Sequence, residues 1–224
     1  MQLDIDTVTK HLHLLSPSKQ KEVLTLLDQL SAAKNKALSQ KDFLSFVKEV
    51  WPAFIEGAHH KIMADAFNRI ADGTLKRLIV NMPPRHTKSE FASHLFPAWY
   101  LGRFPDRKVI QTAHTAELAV GFGRKVRNLV GSEVYQKIFN DVALSTDSKA
   151  AGRWNTNQHG DYFAIGVGGA VTGKGADILI VDDPHSEQEA ALNDPSVYDK
   201  TYEWYTSGPR QRLQPGGAIC LVMT

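Results

Sequence analysis

The residues best suited to chemistry lie where a short apolar run meets a predicted helix. Residues 78–80 predict a buried strand, and a Pro-rich loop then leads to Lys88 and Ser89. A strand, a tight loop, a Lys-Ser pair and a helix form the layout of a phosphate-binding loop. Lys88 would reach the β- and γ-phosphates, and Ser89 would place its hydroxyl on Mg²⁺. The residues predicted to bind a nucleotide are Pro84, Arg85, His86, Thr87, Lys88, Ser89 and Glu90.

The loop departs from the usual pattern at two positions. Met82 and Thr87 stand where phosphate-binding loops usually have glycine. Thr87 is β-branched and strongly disfavours a positive φ, so we expect the loop to bend in some other way or to bind phosphate less well. The alternative is a Pro-rich turn before a helix, in which the Lys-Ser pair is incidental.

Two adjacent carboxylates are the second candidate element. Asp182 and Asp183 follow four apolar residues, 178–181, that predict a buried parallel strand. Ligands of open α/β sheets bind at the carboxyl ends of the strands, where Asp182 could hold Mg²⁺ and Asp183 could deprotonate an attacking water. The alternative is helix capping, because Asp before Pro184 and a helix is common. Two adjacent acids are costly to bury without a cation, so with the Lys-Ser pair they favour nucleotide hydrolysis.

Alternating strand and helix patterns must position these residues. The predicted strands are 78–80, 109–112, 162–165, 178–181 and 219–223, and the predicted helices are 42–50, 59–71, 90–101, 115–130 and 197–205. The polar stretch 141–158 predicts a loop or a weak hairpin. This order predicts an α/β fold with a mostly parallel central sheet flanked by helices.

A small helical segment precedes this domain. Residues 17–30 carry an apolar stripe at helical spacing, and the small, polar run 31–40 predicts a frayed helix end or a linker. We therefore place a boundary near residue 40, with a helical appendage over 1–40 and the P-loop domain over 41–224. His11 and His13 precede the helix, and surface histidines are a simpler interpretation than a metal site that would need further ligands.

Composition excludes several classes of protein. The 224 residues are 42% hydrophobic and 22% charged, which is typical of a globular chain and excludes collagen and wholesale disorder. The single cysteine, Cys220, excludes a disulfide framework, predicts a buried apolar residue and favours a reducing compartment. No apolar run approaches the roughly 20 residues that span a bilayer, and residues 1–10 lack a signal-peptide core. With a net charge of +2, nucleic-acid binding would need a local patch.

Six segments of the chain fit one pattern. Residues 83–90 hold the loop, 181–184 are Val-Asp-Asp-Pro, and 220–224 form an apolar strand that ends in threonine. They resemble the deviant Walker A, the Walker B and the coupling motif of tailed-phage terminase large subunits, the motors that package viral DNA. The intervening segments that are also similar are 96–105, 122–127 and 166–177. The resemblance covers about residues 45–224.

This resemblance implies a P-loop NTPase fold, an Mg²⁺-dependent ATPase domain that has an extra strand between the Walker A and Walker B strands. It implies that Lys88 and Ser89 bind phosphate and Mg²⁺. It implies further that Asp182 binds Mg²⁺ and that Asp183 is the catalytic carboxylate.

Other roles follow from the same resemblance. Arg85 matches a loop arginine that senses the γ-phosphate, and Thr224 matches the residue that couples hydrolysis to movement. Residues 54–60 match the stretch that contacts adenine. A neighbour in a ring would supply a basic finger. The candidates for that finger are Lys174, Arg210 and Arg212.

The family also implies partners and a location. These are double-stranded DNA bound without sequence preference, the portal protein, a small terminase subunit and identical neighbours in a ring on the procapsid, in the host-cell cytoplasm and away from membranes. The chain stops at Thr224, whereas the family continues into a lid and a nuclease, so we expect a shortened chain that does not cleave DNA.

Basic side chains are candidates for contacts with the DNA backbone. The two clusters are Arg124, Lys125 and Arg127, and Arg103, Arg107 and Lys108. The simpler interpretation of each cluster is a solvated helix face or turn.

Two other functions stay open. One is a helicase-like ATPase, against which the Asp-Asp pair argues because helicases usually have Asp-Glu. The other is a nucleotide- or DNA-binding module that hydrolyses nothing.

Overall fold

The strands of the chain assemble into one seven-stranded sheet. The structure, a computed structural model, describes residues 11–191 and 194–224, so the expectation about residues 1–10 lies outside the described residues. In chain order the strands are β1 Arg77–Asn81, β2 Lys108–Ala113, β3 Leu144–Ala150, β4 Arg153–Thr156, β5 Asp161–Gly166, β6 Ala176–Asp182 and β7 Leu213–Met223.

Helices cover the sheet and match most of the predicted helical stretches. They are α1 Pro17–Lys41, α2 Phe43–Val50, α3 Ala58–Ala71, α4 Phe96–Arg103, α5 Ala116–Val130, α6 Glu133–Ile138, α7 Glu187–Ala191 and α8 Pro195–Ser207. Two short 3₁₀ helices, Leu12–Leu14 and Pro209–Arg212, and a π-helix, Glu90–Leu95, complete the described elements. None of the helices in the described residues has both the length and the apolar character needed to cross a membrane.

The strand order places three chain segments side by side. It runs β1-β7-β6-β2-β5-β4-β3, with parallel pairing from β1 to β5. The last two strands pair antiparallel, which confirms the hairpin alternative for 141–158. Because β7 lies between β1 and β6, the loop after β1, the acids after β6 and the end of β7 meet at one edge of the sheet. The mostly parallel α/β fold predicted from the sequence is confirmed.

Aromatic side chains fill the larger core, between the sheet and helices α2 to α5. Phe43 lies at the centre, with ring centroids 5.2 Å from Phe67, 5.5 Å from Phe91 and 5.5 Å from Trp99. These rings are fully buried, so they fix the helices against the strands. The other face of the sheet carries a smaller cluster, and beside β1 it leaves an apolar groove of about 520 Å³ in which Ile79 is 70% exposed.

The helix predicted over 90–101 is divided in two. A π-helix, Glu90–Leu95, runs directly into α4, and the Phe96 N–H donates to the Phe91 carbonyl. Pro97 explains the division, because it has no backbone N–H and its ring would clash with the carbonyl of Ser93 in a regular α-helix. The wider turn changes which side chains of this segment face the sheet.

The expectation of a frayed end or a linker over 31–40 is wrong. Helix α1 continues without a break to Lys41, because alanine, lysine and glutamine favour helix. Its last turn also contacts the core: Trp99 Nε1 donates to the Ser39 carbonyl at 2.9 Å, and Gln40 Nε2 donates to the Ile138 carbonyl at 2.6 Å. The domain boundary near residue 40 stays a prediction.

Candidate active site

The loop after β1 bends through two residues with a left-handed backbone. Arg85 has a φ of 65° and Thr87 a φ of 61°, and helical structure begins at Lys88. A threonine in this region costs roughly 1–2 kcal/mol, because its Cβ crowds the following carbonyl oxygen. The first of our two expectations, that the loop bends in some other way, is therefore wrong, and weaker phosphate binding stays a prediction. Thr87 takes the conformation that a glycine would adopt freely.

Lys88 connects this loop to the end of β7. Its side chain is buried, and its ammonium donates a hydrogen bond of 2.7 Å to the Thr224 hydroxyl. The same ammonium lies 3.2 Å from Asp183 Oδ2. Lys88 and Thr224 are 136 positions apart and meet because β7 is the neighbour of β1. Three of the predicted site residues therefore form one cluster.

Asp182 faces the helical segment that follows the loop. Its carboxylate accepts hydrogen bonds from Ser89 Oγ at 2.9 Å and from Ser93 Oγ at 2.6 Å. Asp182 is 3% exposed, and this burial raises its pKa, against the effect of the two serine hydrogen bonds. The two residues predicted to share a metal ion, Ser89 and Asp182, are thus in direct contact.

Asp183 points to a different neighbour from Asp182, as successive side chains of a strand do. Its backbone N–H donates to the Val222 carbonyl at 2.8 Å, and its Oδ1 accepts from the Thr224 N–H at 2.9 Å. The capping alternative is wrong, because α7 begins only at Glu187 and the Asp183 carboxylate contacts β7 and Lys88 instead. The side chain is 42% exposed, so water can reach it.

The other predicted loop residues divide into two groups. Pro84, Arg85 and His86 are exposed at the tip of the loop, and His86 Nδ1 lies 2.9 Å from the Pro84 carbonyl oxygen. Glu90 instead lies on the helical side. A hydrogen bond with His94, aided by Lys125, lowers the pKa of Glu90 to about 2, so its carboxylate is ionised and paired.

The stretch matched to adenine contacts lies beside the loop. Ile55 is exposed, and the ring of Phe54 packs against His60 and Phe91. His60 itself is buried, and its Nε2 lies 2.6 Å from Thr87 Oγ1. The sequence placed this stretch near the site without distinguishing exposed from buried side chains.

The three candidates for a basic finger differ in accessibility. Lys174 is held in an ion pair of 2.6 Å with Asp161 and lies over the ring of Phe163. Arg212 is half-buried, whereas Arg210 is exposed. Of the three, Arg210 is the one best placed to reach another molecule.

Ion pairs within the chain involve half of the six basic residues considered for DNA. Arg103, Arg107 and Lys125 pair with Asp72, Asp177 and Glu90, respectively. Arg127 hydrogen-bonds to Asn128. Arg124 and Lys108 are exposed. These contacts agree with the simpler interpretation of solvated faces for most of the two clusters.

Ser93 is the site residue that sequence reasoning missed. It is fully buried, donates to Asp182 and accepts a hydrogen bond of 3.2 Å from Gln111 Nε2 on β2. Its position four residues after Ser89, on the same side of a helical segment, is a signal that could have found it.

The donor set fits a magnesium-bound nucleotide. The described residues contain no group of three or more His, Cys, Asp or Glu side chains placed to hold a metal ion, and His11 and His13 are exposed. A Mg²⁺ that arrives with phosphates needs few protein ligands, and these are hard oxygens. The Ser89 hydroxyl and the Asp182 carboxylate are such oxygens, and the buried Lys88 ammonium complements phosphate charge.

Comparison with known proteins shows a likeness in fold. No protein-family model and no curated protein matches the sequence. Among solved structures, the chain is similar to the HK97 bacteriophage large terminase, with a TM-score of 0.53 and 12% sequence identity. The match covers 83% of this chain and 37% of that terminase, so the chain spans little more than a third of its length. The chain therefore has a fold shared with part of a phage large terminase.

Proposed function

We propose that this chain hydrolyses ATP as the ATPase part of a motor that moves double-stranded viral DNA into a procapsid. One observation carries the proposal: Lys88, the Ser89–Asp182 pair and Asp183 meet at the carboxyl ends of β1 and β6, the two parallel strands that flank β7. Nucleotides bind at this position in open α/β sheets. The terminase-like fold and the order of the motifs favour this function over other P-loop functions.

Lys88 binds the phosphates in this proposal. Its ammonium exchanges the Thr224 hydroxyl for phosphate oxygens and stabilises the negative charge of the transferred phosphoryl group. Arg85 is exposed at the loop tip, from which it contacts the γ-phosphate. The N–H groups at the start of the helix face the same anion.

Ser89 and Asp182 provide the oxygens for Mg²⁺. A bound Mg²⁺ would neutralise charge on the β- and γ-phosphates. Burial raises the pKa of Asp182, and a nearby cation favours the ionised carboxylate that the site requires. Ser93 holds the other oxygen of that carboxylate in place.

Asp183 orients the attacking water and accepts its proton. The water oxygen forms a bond to the γ-phosphorus, the bond between that phosphorus and the bridging oxygen breaks, and ADP leaves with the electron pair. Thr224 contacts both Asp183 and Lys88, so hydrolysis at one end of β7 is coupled to movement of that strand.

The terminase-like fold supports the partners that we propose. They are double-stranded DNA gripped through its phosphates, the portal protein, a small terminase subunit and identical chains in a ring, in the host-cell cytoplasm. Arg210 is the exposed candidate to act on a neighbour's nucleotide. Arg124 and Lys108 are the exposed candidates for DNA contact.

The test is Mg²⁺-dependent ATP binding and hydrolysis, with and without duplex DNA. We expect Lys88→Ala to weaken ATP binding by about tenfold or more, because a charge-assisted contact is lost. We expect Asp183→Asn to lower hydrolysis by about a hundredfold or more and to change ATP binding little. Lys36→Ala on α1 and Asp65→Asn on α3 are matched controls that should behave as the parent.

Two results would contradict the proposed hydrolysis of ATP. ATP binding that depends on Lys88, without turnover by any form, would favour the nucleotide-binding module over the hydrolase. If the parent bound no ATP, the nucleotide function would be wrong.

A further inference from the structure

Thr87 poses a structural problem that its own backbone does not solve. A β-branched residue at a φ of 61° is unfavourable, yet it directly precedes the lysine of the proposed phosphate loop. Such a conformation persists only where the surroundings hold it. His60, on α3, reaches Thr87 from outside the loop and hydrogen-bonds to its hydroxyl.

The hydrogen-bond partners of His60 fix which ring nitrogen accepts and which donates. The Gly57 N–H can only donate, so His60 Nδ1, at 2.8 Å, accepts and carries no proton. The neutral ring then carries its proton on Nε2, which donates to Thr87 Oγ1 at 2.6 Å. The Thr87 hydroxyl in turn donates to the His86 carbonyl at 2.6 Å. A chain of three hydrogen bonds thus runs from the start of α3 into the loop.

Packing fixes the imidazole in this position. His60 is 5% exposed, and its ring centroid lies 4.8 Å from those of Phe54 and Phe91 and 3.8 Å from that of His59. Phe91 belongs to the helical segment that follows the loop, so the ring is held from both sides. Both ring nitrogens are used, which leaves neither to hydrogen-bond a nucleotide base.

We propose that His60 is a positioning residue that holds Thr87, and with it the phosphate loop, in the bent conformation that other loops obtain from glycine. A glycine adopts a positive φ without steric cost, whereas at Thr87 a hydrogen bond from the His60 imidazole stabilises this conformation. For its effect on ligand binding this inference rests on the proposed function, because the loop is taken to bind phosphate.

The two halves of the imidazole can be tested separately. Asparagine reproduces the position of Nδ1 and can still accept from the Gly57 N–H, but it does not reach Thr87. Glutamine reproduces the position of Nε2 and can donate to Thr87. His60→Asn and His60→Gln are each made alone and together with Thr87→Gly. A loop with glycine at position 87 should no longer need the hydrogen bond from His60. Thermal unfolding of every variant checks that it folds.

Two measurements are made on all variants. The first is the rate of trypsin cleavage after the exposed Arg85, which reports loop order without any ligand. The second is the dissociation constant for ATP with Mg²⁺. We expect His60→Asn to raise the cleavage rate and weaken ATP binding by about tenfold each, which corresponds to about 1.4 kcal/mol. His60→Gln should stay within about threefold of the parent. In the Thr87→Gly background, His60→Asn should change neither quantity by more than about twofold, since the two effects are coupled.

The outcomes distinguish this inference from the function it rests on. Equal cleavage rates for the parent and His60→Asn would overturn it, as would an equal effect of His60→Asn with and without Thr87→Gly. If cleavage follows the expected pattern but no variant binds ATP, His60 holds the loop and the proposed function is wrong.

Discussion

The Lys88 ammonium donates a 2.7 Å hydrogen bond to the Thr224 hydroxyl and so joins the loop after β1 to the end of β7. Asp183 Oδ2 also lies 3.2 Å from the ammonium. The Thr224 hydroxyl also lies 3.3 Å from Asp183 Oδ1, to which it donates. The Thr224 hydroxyl therefore contacts both Lys88 and Asp183, and it links Lys88 directly to the end of β7.

This contact predicts a loss of stability on Thr224→Val. The substitution keeps the shape but removes the 2.7 Å acceptor of the buried Lys88 ammonium, which keeps Asp183 at 3.2 Å, and we expect the free energy of unfolding to fall by about 1–2 kcal/mol. Chemical denaturation measures the change. Thr224→Ser keeps the hydroxyl and is the matched control. Equal stability of the valine and serine variants would show that the hydroxyl contributes nothing.

Ser93→Ala tests how Asp182 is held. The variant removes the 2.6 Å donor from a buried carboxylate while Ser89 remains. Since hydrogen bonds to charged groups contribute about 1.5–3 kcal/mol, we expect the Mg²⁺ concentration for half-maximal ATP hydrolysis to rise by about tenfold.

Ser39→Ala is the control for Ser93→Ala. It also deletes a buried serine hydroxyl, but one that donates to the Ser45 carbonyl far along the chain from Asp182. A Mg²⁺ requirement that rises equally in both variants would contradict a specific role for Ser93.

The burial of His60 predicts a pH dependence of stability. Burial, aided by repulsion from His59 and opposed by Glu56, lowers the pKa of His60 below 6.5. The unfolded chain therefore takes up a proton at higher pH than the folded chain. We expect the contribution of His60 to be fully present above pH 6.5 and to decline as the pH falls below it, by at most about 1.4 kcal/mol per pH unit.

The measurement is the free energy of unfolding between pH 5 and pH 8 for the parent and for His60→Gln. The difference between the two curves isolates His60 from the other histidines. A constant difference across this range would mean that the pKa of His60 is the same in the folded and unfolded chains.

Gly123→Ala tests the close approach of α5 to the β3–β4 hairpin. A Cβ at Gly123 would lie 2.5 Å from the Ala151 carbonyl oxygen, so backbone must move. We expect a destabilisation of about 1–3 kcal/mol in thermal or chemical unfolding. Gly121→Ala is the control in the same helix. A Cβ there meets no atom within 4 Å, so this variant should gain about 0.5–1 kcal/mol.

The sequence predicted the elements well where their patterns are local. The apolar runs around Ile110 and Ile180 predicted strands that the structure contains, because a strand buried on both faces must be apolar throughout. The run around Ile79 also forms a strand, but the expectation that it is buried is wrong, because β1 lies at the edge of the sheet and Ile79 is 70% exposed. The helices over 42–50 and 115–130 were also predicted, with Asp42 and Thr115 as their caps in the structure. The division at Pro97 was missed, because a helical pattern of apolar residues does not distinguish a wide turn from a regular one.

By itself the sequence determined which residues could act, since Lys88, Ser89, Asp182 and Asp183 stand where a strand gives way to a loop or helix. Only the tertiary structure decided which contacts these four side chains make. Strand order brought Thr224 to Lys88, and strand geometry turned Asp182 toward Ser93 and Asp183 toward β7. The tertiary structure also decided the backbone conformation of Thr87. Local sterics disfavour a positive φ for threonine, and the hydrogen bond that stabilises it comes from His60, 27 positions away, in a contact that no local pattern contains.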